Sequence, residues 1–245
     1  MNLVDPEHFN IDAGVGQWVD SMIRITGPAA VLLKSIVLND WQVETGRNLF
    51  PRLRDIEVLP AEGSTVCQLA PSGPASPDDS VEEILLTAIY GAKTRVRLTT
   101  PYFVPGDALV TAIKTAAHRG VKVSLIVPKK SDSKLVALAS SSYYEELIEA
   151  GVEISIYDSG LLHSKVVLID DELALFGSVN LDMRSFWLNF ELTVAIYDSG
   201  TVARLHTLVD RYQAQSTVLN LARWKNRSAG TRLLQQLAYL ASPLL

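Results

Sequence analysis

The apolar positions of this chain change period along its length, and the changes mark its elements. Arg95–Thr100 (RVRLTT), Val121–Val127 (VKVSLIV) and Val152–Tyr157 are short apolar runs that read as strands. Between them, Gly106–Arg119 and Ser133–Ala150 carry helical spacing, and Gly120 and Gly151 follow as stops. Further on, Lys165–Asp170, Leu173–Phe176 and Glu191–Ile196 are predicted strands, the first two joined by a tight turn at Asp171-Glu172, and Thr201–Gln215 is a predicted helix. Upstream, a helix starts at Ser80, with Glu83 closing a capping box, and runs to about Lys93. Alternating β and α elements predict an α/β fold, a parallel or mixed sheet with helices on both faces.

Two longer-range patterns divide the chain. Residues 61–80 are rich in Pro, Ser, Gly and acid (Pro71-Ser72-Gly73-Pro74-Ala75-Ser76-Pro77-Asp78-Asp79) and read as a linker. The stretches on either side of it echo each other. Trp18-Val19-Asp20 resembles Asn189-Phe190-Glu191 at a shift of 191 − 20 = 171 residues, and the same shift sets Val31 on Val202 and Trp41 on Tyr212. Asn2-Leu3-Val4-Asp5 likewise echoes Asn180-Leu181-Asp182. In both copies a strand leads through a turn (Gly27-Pro28, or Asp198-Ser199-Gly200) to a helix ending in an aromatic residue. The expected organisation is therefore the tail of a first half over 1–60, the linker 61–80, a fuller second half over 81–216, and a C-terminal amphipathic segment over 217–245. In that last segment Leu233–Leu240 has apolar residues at helical spacing beside Arg223, Lys225, Arg227 and Arg232, which suits either a membrane surface or packing on the domain.

Composition narrows the classes. With 48% hydrophobic and 20% charged residues among 245, the chain is ordinary globular material. A net charge of −5 argues against a nucleic-acid binder that works by bulk charge. Cys67 is the single cysteine, which excludes an internal disulfide or a thiolate metal cluster. No run reaches the roughly 18 apolar residues of a membrane span. A mean hydropathy of +0.17 fits a rich core or a surface that meets lipid. Asp5, Glu7 and Asp12 stand where a secretory leader would be basic and then apolar.

The candidate chemistry is concentrated around His163 and Lys165. Residues two apart on a strand project to the same side, so these two belong together. Asp170, Gly177, Ser178, Asn180 and Glu191 follow in one short stretch. An imidazole can bond to phosphorus while a cation and small polar donors hold the phosphate oxygens. Glu191 is expected to accept a hydrogen bond from the second imidazole nitrogen and fix the tautomer. Lys165, Ser178 and Asn180 are expected to bind nonbridging oxygens. Asp170 is either part of the reacting set or a structural carboxylate that orders the turn. Thr99-Thr100-Pro101-Tyr102-Phe103 ends a strand, where a ligand crevice or a loop packed on the core would fit. Phe186 and Trp187 suit an acyl channel or buried packing. His8, His118 and His206 have no comparable neighbours.

The spacing His-x-Lys-x4-Asp-x6-Gly-Ser-x-Asn resembles the HKD motif of the phospholipase D superfamily. Within it, the segments Gly14-Val15-Gly16-Gln17-Trp18-Val19-Asp20, Thr100-Pro101-Tyr102-Phe103-Val104-Pro105, Leu161-Leu162-His163, Asn180-Leu181-Asp182-Met183-Arg184-Ser185, Trp187-Leu188-Asn189-Phe190-Glu191 and Ser242-Pro243-Leu244-Leu245 are similar to bacterial cardiolipin synthases. The resemblance implies a phospholipase D-like α-β-α sandwich and a two-step phosphatidyl transfer. One motif histidine attacks the phosphorus of phosphatidylglycerol; the other protonates the departing alcohol and later deprotonates the acceptor hydroxyl. Cardiolipin and glycerol result, with no metal or cofactor. It implies His163, Lys165 and Asp170 as catalytic residues and Ser178, Asn180 and Glu191 as phosphate support. The implied partners are phosphatidylglycerol, related phospholipids and a membrane surface, with no nucleic acid, on the cytoplasmic side of the bacterial inner membrane. Family members carry two such motifs, and this chain holds the second. The expectation is a carboxyl-terminal portion lacking the first His and Lys and the N-terminal membrane helices, with little or no synthase activity alone. Water in place of the acceptor lipid would make the same site a phospholipase D-type hydrolase. A non-catalytic, lipid-binding remnant is the third reading.

Overall fold

The computed structural model describes residues 16–52, 55, 59–73 and 80–242. The Asn2–Asp5 echo, Gly14-Val15, the linker residues Pro74–Asp79, the Ser80 side chain of the expected capping box and the terminal Pro243-Leu244-Leu245 lie outside the described residues.

An eight-stranded mixed sheet organises the molecule. In chain order its strands are β2 (Cys67–Ser72), β3 (Arg95–Thr99), β5 (Lys122–Pro128), β6 (Glu153–Tyr157), β8 (Val166–Ile169), β9 (Leu173–Gly177), β11 (Glu191–Ile196) and β12 (Ser216–Val218). They lie side by side as β12-β6-β5-β3-β8-β9-β11-β2. β3, β5 and β6 run parallel, and the remaining pairs are antiparallel. Two parallel two-residue bridges supplement the sheet: β1 (Trp18–Val19) with β7 (Leu161–Leu162), and β4 (Phe103–Val104) with β10 (Leu181–Asp182).

Helices cover both faces. On one lie α2 (Ser80–Gly91), α3 (Asp107–His118), α4 (Lys134–Ser142), α5 (Tyr144–Glu149) and, outside α4, α9 (Ala229–Leu240). On the other lies α7 (Ser199–Ala214). The short α6 (Met183–Trp187) and α8 (Leu221–Lys225) complete the set with α1 (Pro28–Thr45). β8 shows why the pattern reads as it does. All four of its residues are buried; Val167 and Ile169 join the core under α2 and α3, and Val166 and Leu168 join the core under α7. A strand covered on both faces has no polar side to show, so its sequence is a continuous apolar run.

Two expectations change. The helix over 133–150 is two helices, α4 and α5, meeting at Tyr143. Ser141 and Ser142 donate their hydroxyls back to the Leu138 and Ala139 carbonyls, and such bonds bend and weaken a helix. The expected linker 61–80 contains β2, which pairs over six residues with β11. Cys67 and Leu69 pack on the core under α7, and Pro71 is tolerated because β2 is an edge strand.

The repeat is visible in the helices. α1 begins at Pro28 and α7 at Ser199, a separation of 199 − 28 = 171 residues. α7 buries Val202, Leu205, His206, Val209 and Tyr212, whereas α1 buries none of its residues. The strand expected before Gly27 is limited to Trp18–Val19, and the chain from Asp20 to Thr26 is irregular. No helix among the described residues is long and apolar enough to cross a membrane.

Candidate active site

His163 sits where β7 ends, and β1 fixes what it meets. The Leu161 amide donates to the Gln17 carbonyl (3.0 Å) and the His163 amide to the Val19 carbonyl (2.8 Å), which carries the parallel register on to Asp20 beside His163. Gly160 permits this approach: its φ is +125°, and a Cβ there would stand 2.3 Å from the Gln17 carbonyl oxygen. The Trp18 ring lies 4.6 Å from the imidazole, centroid to centroid, and Ser21 and Ser164 share a 2.6 Å hydroxyl hydrogen bond. The result is a 3.1 Å contact between Asp20 Oδ2 and His163 Nδ1.

This contact assigns the tautomer. Burial raises the Asp20 carboxyl, but the hydrogen bonds from His163 and the Ser21 amide and the charges of His163 and Lys165 outweigh it, leaving the pKa below the ordinary value. An ionised carboxylate only accepts, so Nδ1 carries the proton and the lone pair belongs to Nε2. Sequence reasoning gave this role to Glu191. Glu191 instead accepts from Asn189 Nδ2 at 3.1 Å, because it opens β11 while β1 brings Asp20 to the imidazole. The signal for Asp20 was available, since the 171-residue shift sets it on Glu191.

Lys165 Nζ lies 3.0 Å from both imidazole nitrogens and donates to the His163 carbonyl at 2.8 Å. With Nδ1 protonated, the contact with Nε2 is the one that is a hydrogen bond. Burial pulls the Lys165 pKa down to about 8, against the opposing pull of Asp20, Glu191 and Asp182. Gly177 follows on β9, and a Cβ there would lie 2.1 Å from the Leu192 carbonyl oxygen, so glycine lets β9 close against β11. Ser178 accepts from the Leu192 amide at 2.9 Å, which leaves its hydroxyl hydrogen to donate. Asn180 donates to Ser185 Oγ at 3.0 Å, while its Oδ1 is buried without a hydrogen-bond partner among the described residues.

The Thr99–Phe103 loop adds Tyr102, whose ring stands edge-on to the imidazole at 6.4 Å. Its hydroxyl donates to both Asp132 carboxylate oxygens at 2.8 Å, and burial followed by the Asp132 carboxylate pushes its pKa up. Thr100 Oγ1 donates to the Tyr102 carbonyl (2.7 Å) and accepts from the Leu181 amide (3.2 Å), tying this loop to the one after Asn180. Phe186 is buried in the core, whereas Trp187 is exposed. Asp182 caps α6 by accepting from the Ser185 amide.

Asp170 lies elsewhere. It ends β8, about 16 Å along the strand from Lys165 at roughly 3.3 Å per residue. Its carboxylate accepts from the amides of Lys93 (2.9 Å), Thr94 (2.8 Å) and Arg95 (2.8 Å) and from the Thr94 hydroxyl (2.7 Å). These bonds overcome its burial and hold its pKa at about 2. Its φ of +50° turns the chain into Asp171-Glu172, and its carbonyl accepts from His206 Nε2 at 2.8 Å. This is the geometry of the structural alternative: a carboxylate that ties the β8–β9 turn to the start of β3.

The family model described as cardiolipin synthase, PLD-like domain matches residues 85–213. Cardiolipin synthase A of Serratia proteamaculans is 48% identical over 248 residues, covering 100% of this chain and 51% of that protein. Its counterpart in Pectobacterium carotovorum is 50% identical with the same coverage. The chain thus spans about half the length of the curated relatives it matches. Among solved structures, the phospholipase D family member Nuc from Salmonella typhimurium aligns with a TM-score of 0.55 at 21% identity, covering 64% of this chain and 99% of that one; this likeness concerns the fold. The family model, which matches more than half of the chain, shows that the chain belongs to the cardiolipin synthase family of phospholipase D-like proteins.

Proposed function

We propose that this chain supplies one half of the active site of a cardiolipin synthase-type phosphatidyltransferase. The observation that carries the reading is the His163 imidazole with Nδ1 held by Asp20 and Nε2 beside Lys165. An ionised carboxylate behind an imidazole raises the nucleophilicity of the far nitrogen. In the proposed step Lys165 turns its ammonium from Nε2 to a nonbridging oxygen, the freed Nε2 lone pair of His163 bonds to the phosphorus of phosphatidylglycerol, and glycerol leaves as its oxygen takes a proton from a second histidine. That histidine then takes the proton from the hydroxyl of an acceptor phosphatidylglycerol, whose oxygen displaces Nε2 and yields cardiolipin. Lys165 and the free hydroxyl hydrogen of Ser178 neutralise the nonbridging oxygens, with Asn180 shaping the same loop.

The second histidine belongs to the other half of the full-length protein, which spans about twice the length matched here. Repeat equivalence supports this partition. Asp20 sits on Glu191 at the 171-residue shift, so Glu191 is the carboxylate available to the histidine of that other half. Asp170 keeps a structural role in this scheme. The full-length protein acts on phospholipids at the cytoplasmic side of the inner membrane, and the 245-residue chain alone has little or no synthase activity.

The test joins this chain to the amino-terminal half of the Serratia relative and follows phosphatidylglycerol turnover by thin-layer chromatography. Cardiolipin formation, lost at least about 10³-fold in His163→Asn, is the expected result. Phosphatidic acid as the sole product would replace the transferase by a hydrolase. Full synthase activity in the unjoined, monomeric chain would overturn the half-site reading.

A further inference from the structure

Helix α9 is docked the wrong way round for a helix of a water-soluble domain. Such a helix buries its apolar stripe and shows its polar face. In α9 the buried residues are Gln235 and Ala238, and the leucines face out: Leu233, Leu234, Leu237 and Leu240 are 62%, 55%, 54% and 75% exposed. At about 100° per residue these four form one stripe, roughly opposite Gln235 and Ala238. The orientation is locked by polar bonds on the inner side. Gln235 donates to Ser141 Oγ on α4 (2.8 Å) and accepts from Arg227 Nε (3.1 Å), while Arg227 pairs with Glu145 on α5 (3.2 Å). Fitting the leucines inward would break both Gln235 bonds.

Charge identifies what the stripe meets. The chain as a whole carries −5, yet no Asp or Glu follows Asp210, and Arg211, Arg223, Lys225, Arg227 and Arg232 do. Arg223 and Arg232 are exposed and make no ion pair with a described residue. Lys225 pairs with Glu149 and Arg227 with Glu145, which leaves Arg223 and Arg232 as the cations that accompany the leucine stripe, a combination that fits the interface of an anionic bilayer. The helix is also joined to the catalytic side of the domain. Tyr239 packs on Tyr143 (5.3 Å between centroids), Tyr143 packs on Phe103 (6.0 Å), and the neighbouring Tyr102 stands against the His163 ring.

We propose that the Leu233-Leu234-Leu237-Leu240 face of α9 lies in the surface of an anionic phospholipid bilayer and docks the domain there without a membrane span. The inference rests on the phosphatidyl-transfer reading only for its choice of lipid. Its test is therefore binding rather than turnover: co-sedimentation of the purified 245-residue chain with phosphatidylcholine vesicles containing or lacking phosphatidylglycerol. The chain should sediment with phosphatidylglycerol-containing vesicles and be released by salt. Leu233→Asp with Leu237→Asp should cut the partition coefficient at least about tenfold, because both leucine contacts are lost. Arg223→Gln with Arg232→Gln should remove most of the preference for phosphatidylglycerol. Both pairs are exposed, so melting followed by circular dichroism should be unchanged and a folding failure would be recognised. Wild-type binding by the folded leucine variant overturns the proposal. So does a concentration-dependent dimer that the leucine variant abolishes in a chain that ignores vesicles, since a second copy would then be the occupant. Vesicle binding together with a joined protein that makes no cardiolipin would leave the docking standing and sink the transfer reading.

Discussion

Asp20 and Glu191 occupy matching places in two copies of one pattern, and so do the helices that follow them, yet their surroundings differ completely. Glu191 opens a strand paired on both sides, with β9 and β2, and α7 behind it buries Val202, Leu205, His206, Val209 and Tyr212. Asp20 lies on irregular chain beside a two-residue bridge, and α1 behind it buries nothing. Tyr212 is 5% exposed, while Trp41, its equivalent, is 48% exposed. The same local pattern is thus spent in two ways. The second copy builds core on the eight-stranded sheet, and the first delivers a carboxylate across to the imidazole of the second.

The sharpest way to break this comparison is to exchange the carboxylates in the joined, two-half enzyme. Asp20→Ala is expected to lower kcat about 10²- to 10⁴-fold, on the scale of removing the orienting carboxylate of a nucleophile–histidine pair. It should also erase the Nδ1–H tautomer from the nitrogen NMR spectrum of His163. Glu191→Ala should lower turnover while leaving that spectrum intact; loss of the tautomer in both variants would mean that Glu191 serves His163 as well.

Next in size is the aromatic pair. Tyr212→Ala should cost about 3 kcal/mol in urea unfolding of the 245-residue chain, as a buried aromatic ring does. Trp41→Ala should stay within about 0.5 kcal/mol, as an exposed site does. Equal losses would show that α1 is packed in this chain.

Asp170 supplies a third contrast, between a carboxylate that serves the fold and one that serves the imidazole. Its folded pKa of about 2 lies below the ordinary 3.8, so its contribution is complete above pH 4 and disappears as the pH falls through 2. The wild-type chain should lose about 2 kcal/mol over that window from this group. Asp170→Asn should flatten that part of the pH–stability curve; a curve unchanged by the substitution would remove Asp170 from the turn's support.

The smallest expected effect is on Lys165, whose ammonium is lost as the pH rises through about 8. Turnover of the joined enzyme should fall above that pH, and Lys165→Arg should move the alkaline limb upward. Both acidic equivalents help keep Lys165 charged, Asp20 more than Glu191. Asp20→Asn should therefore pull the limb down further than Glu191→Gln, and the reverse order would reverse their placement.

Much of the sheet was legible because its strands are local and doubly covered. The VKVSLIV run and the continuous apolar β8 could be assigned from period and length alone. β2 was hidden, because its Pro71-Ser72-Gly73 ending has linker composition and only the open edge of β11 makes it a strand. The break at Tyr143 was equally hidden, since it depends on serine hydroxyls choosing backbone carbonyls. At the site, His163 and Lys165 do meet, but not by strand alternation, because residues 163–165 form the irregular connection between β7 and β8. The pairing of His163 with Asp20 was hidden, because two-residue parallel bridges leave no periodic trace. The inverted docking of α9 was beyond reach as well: helical spacing identifies a leucine stripe, and only the Gln235 bonds decide which way it faces.

The bridge between β1 and β7 joins an acid and an imidazole 143 residues apart through a handful of contacts. Such a seam makes the reactivity of His163 conditional. A molecule in which the Gln17–Ser21 strip has peeled off keeps its sheet, its lysine and its lipid-facing helix, but holds an imidazole with no fixed tautomer. Placement of Gln17–Ser21 against β7 is thus the condition under which the His163 proton has one address.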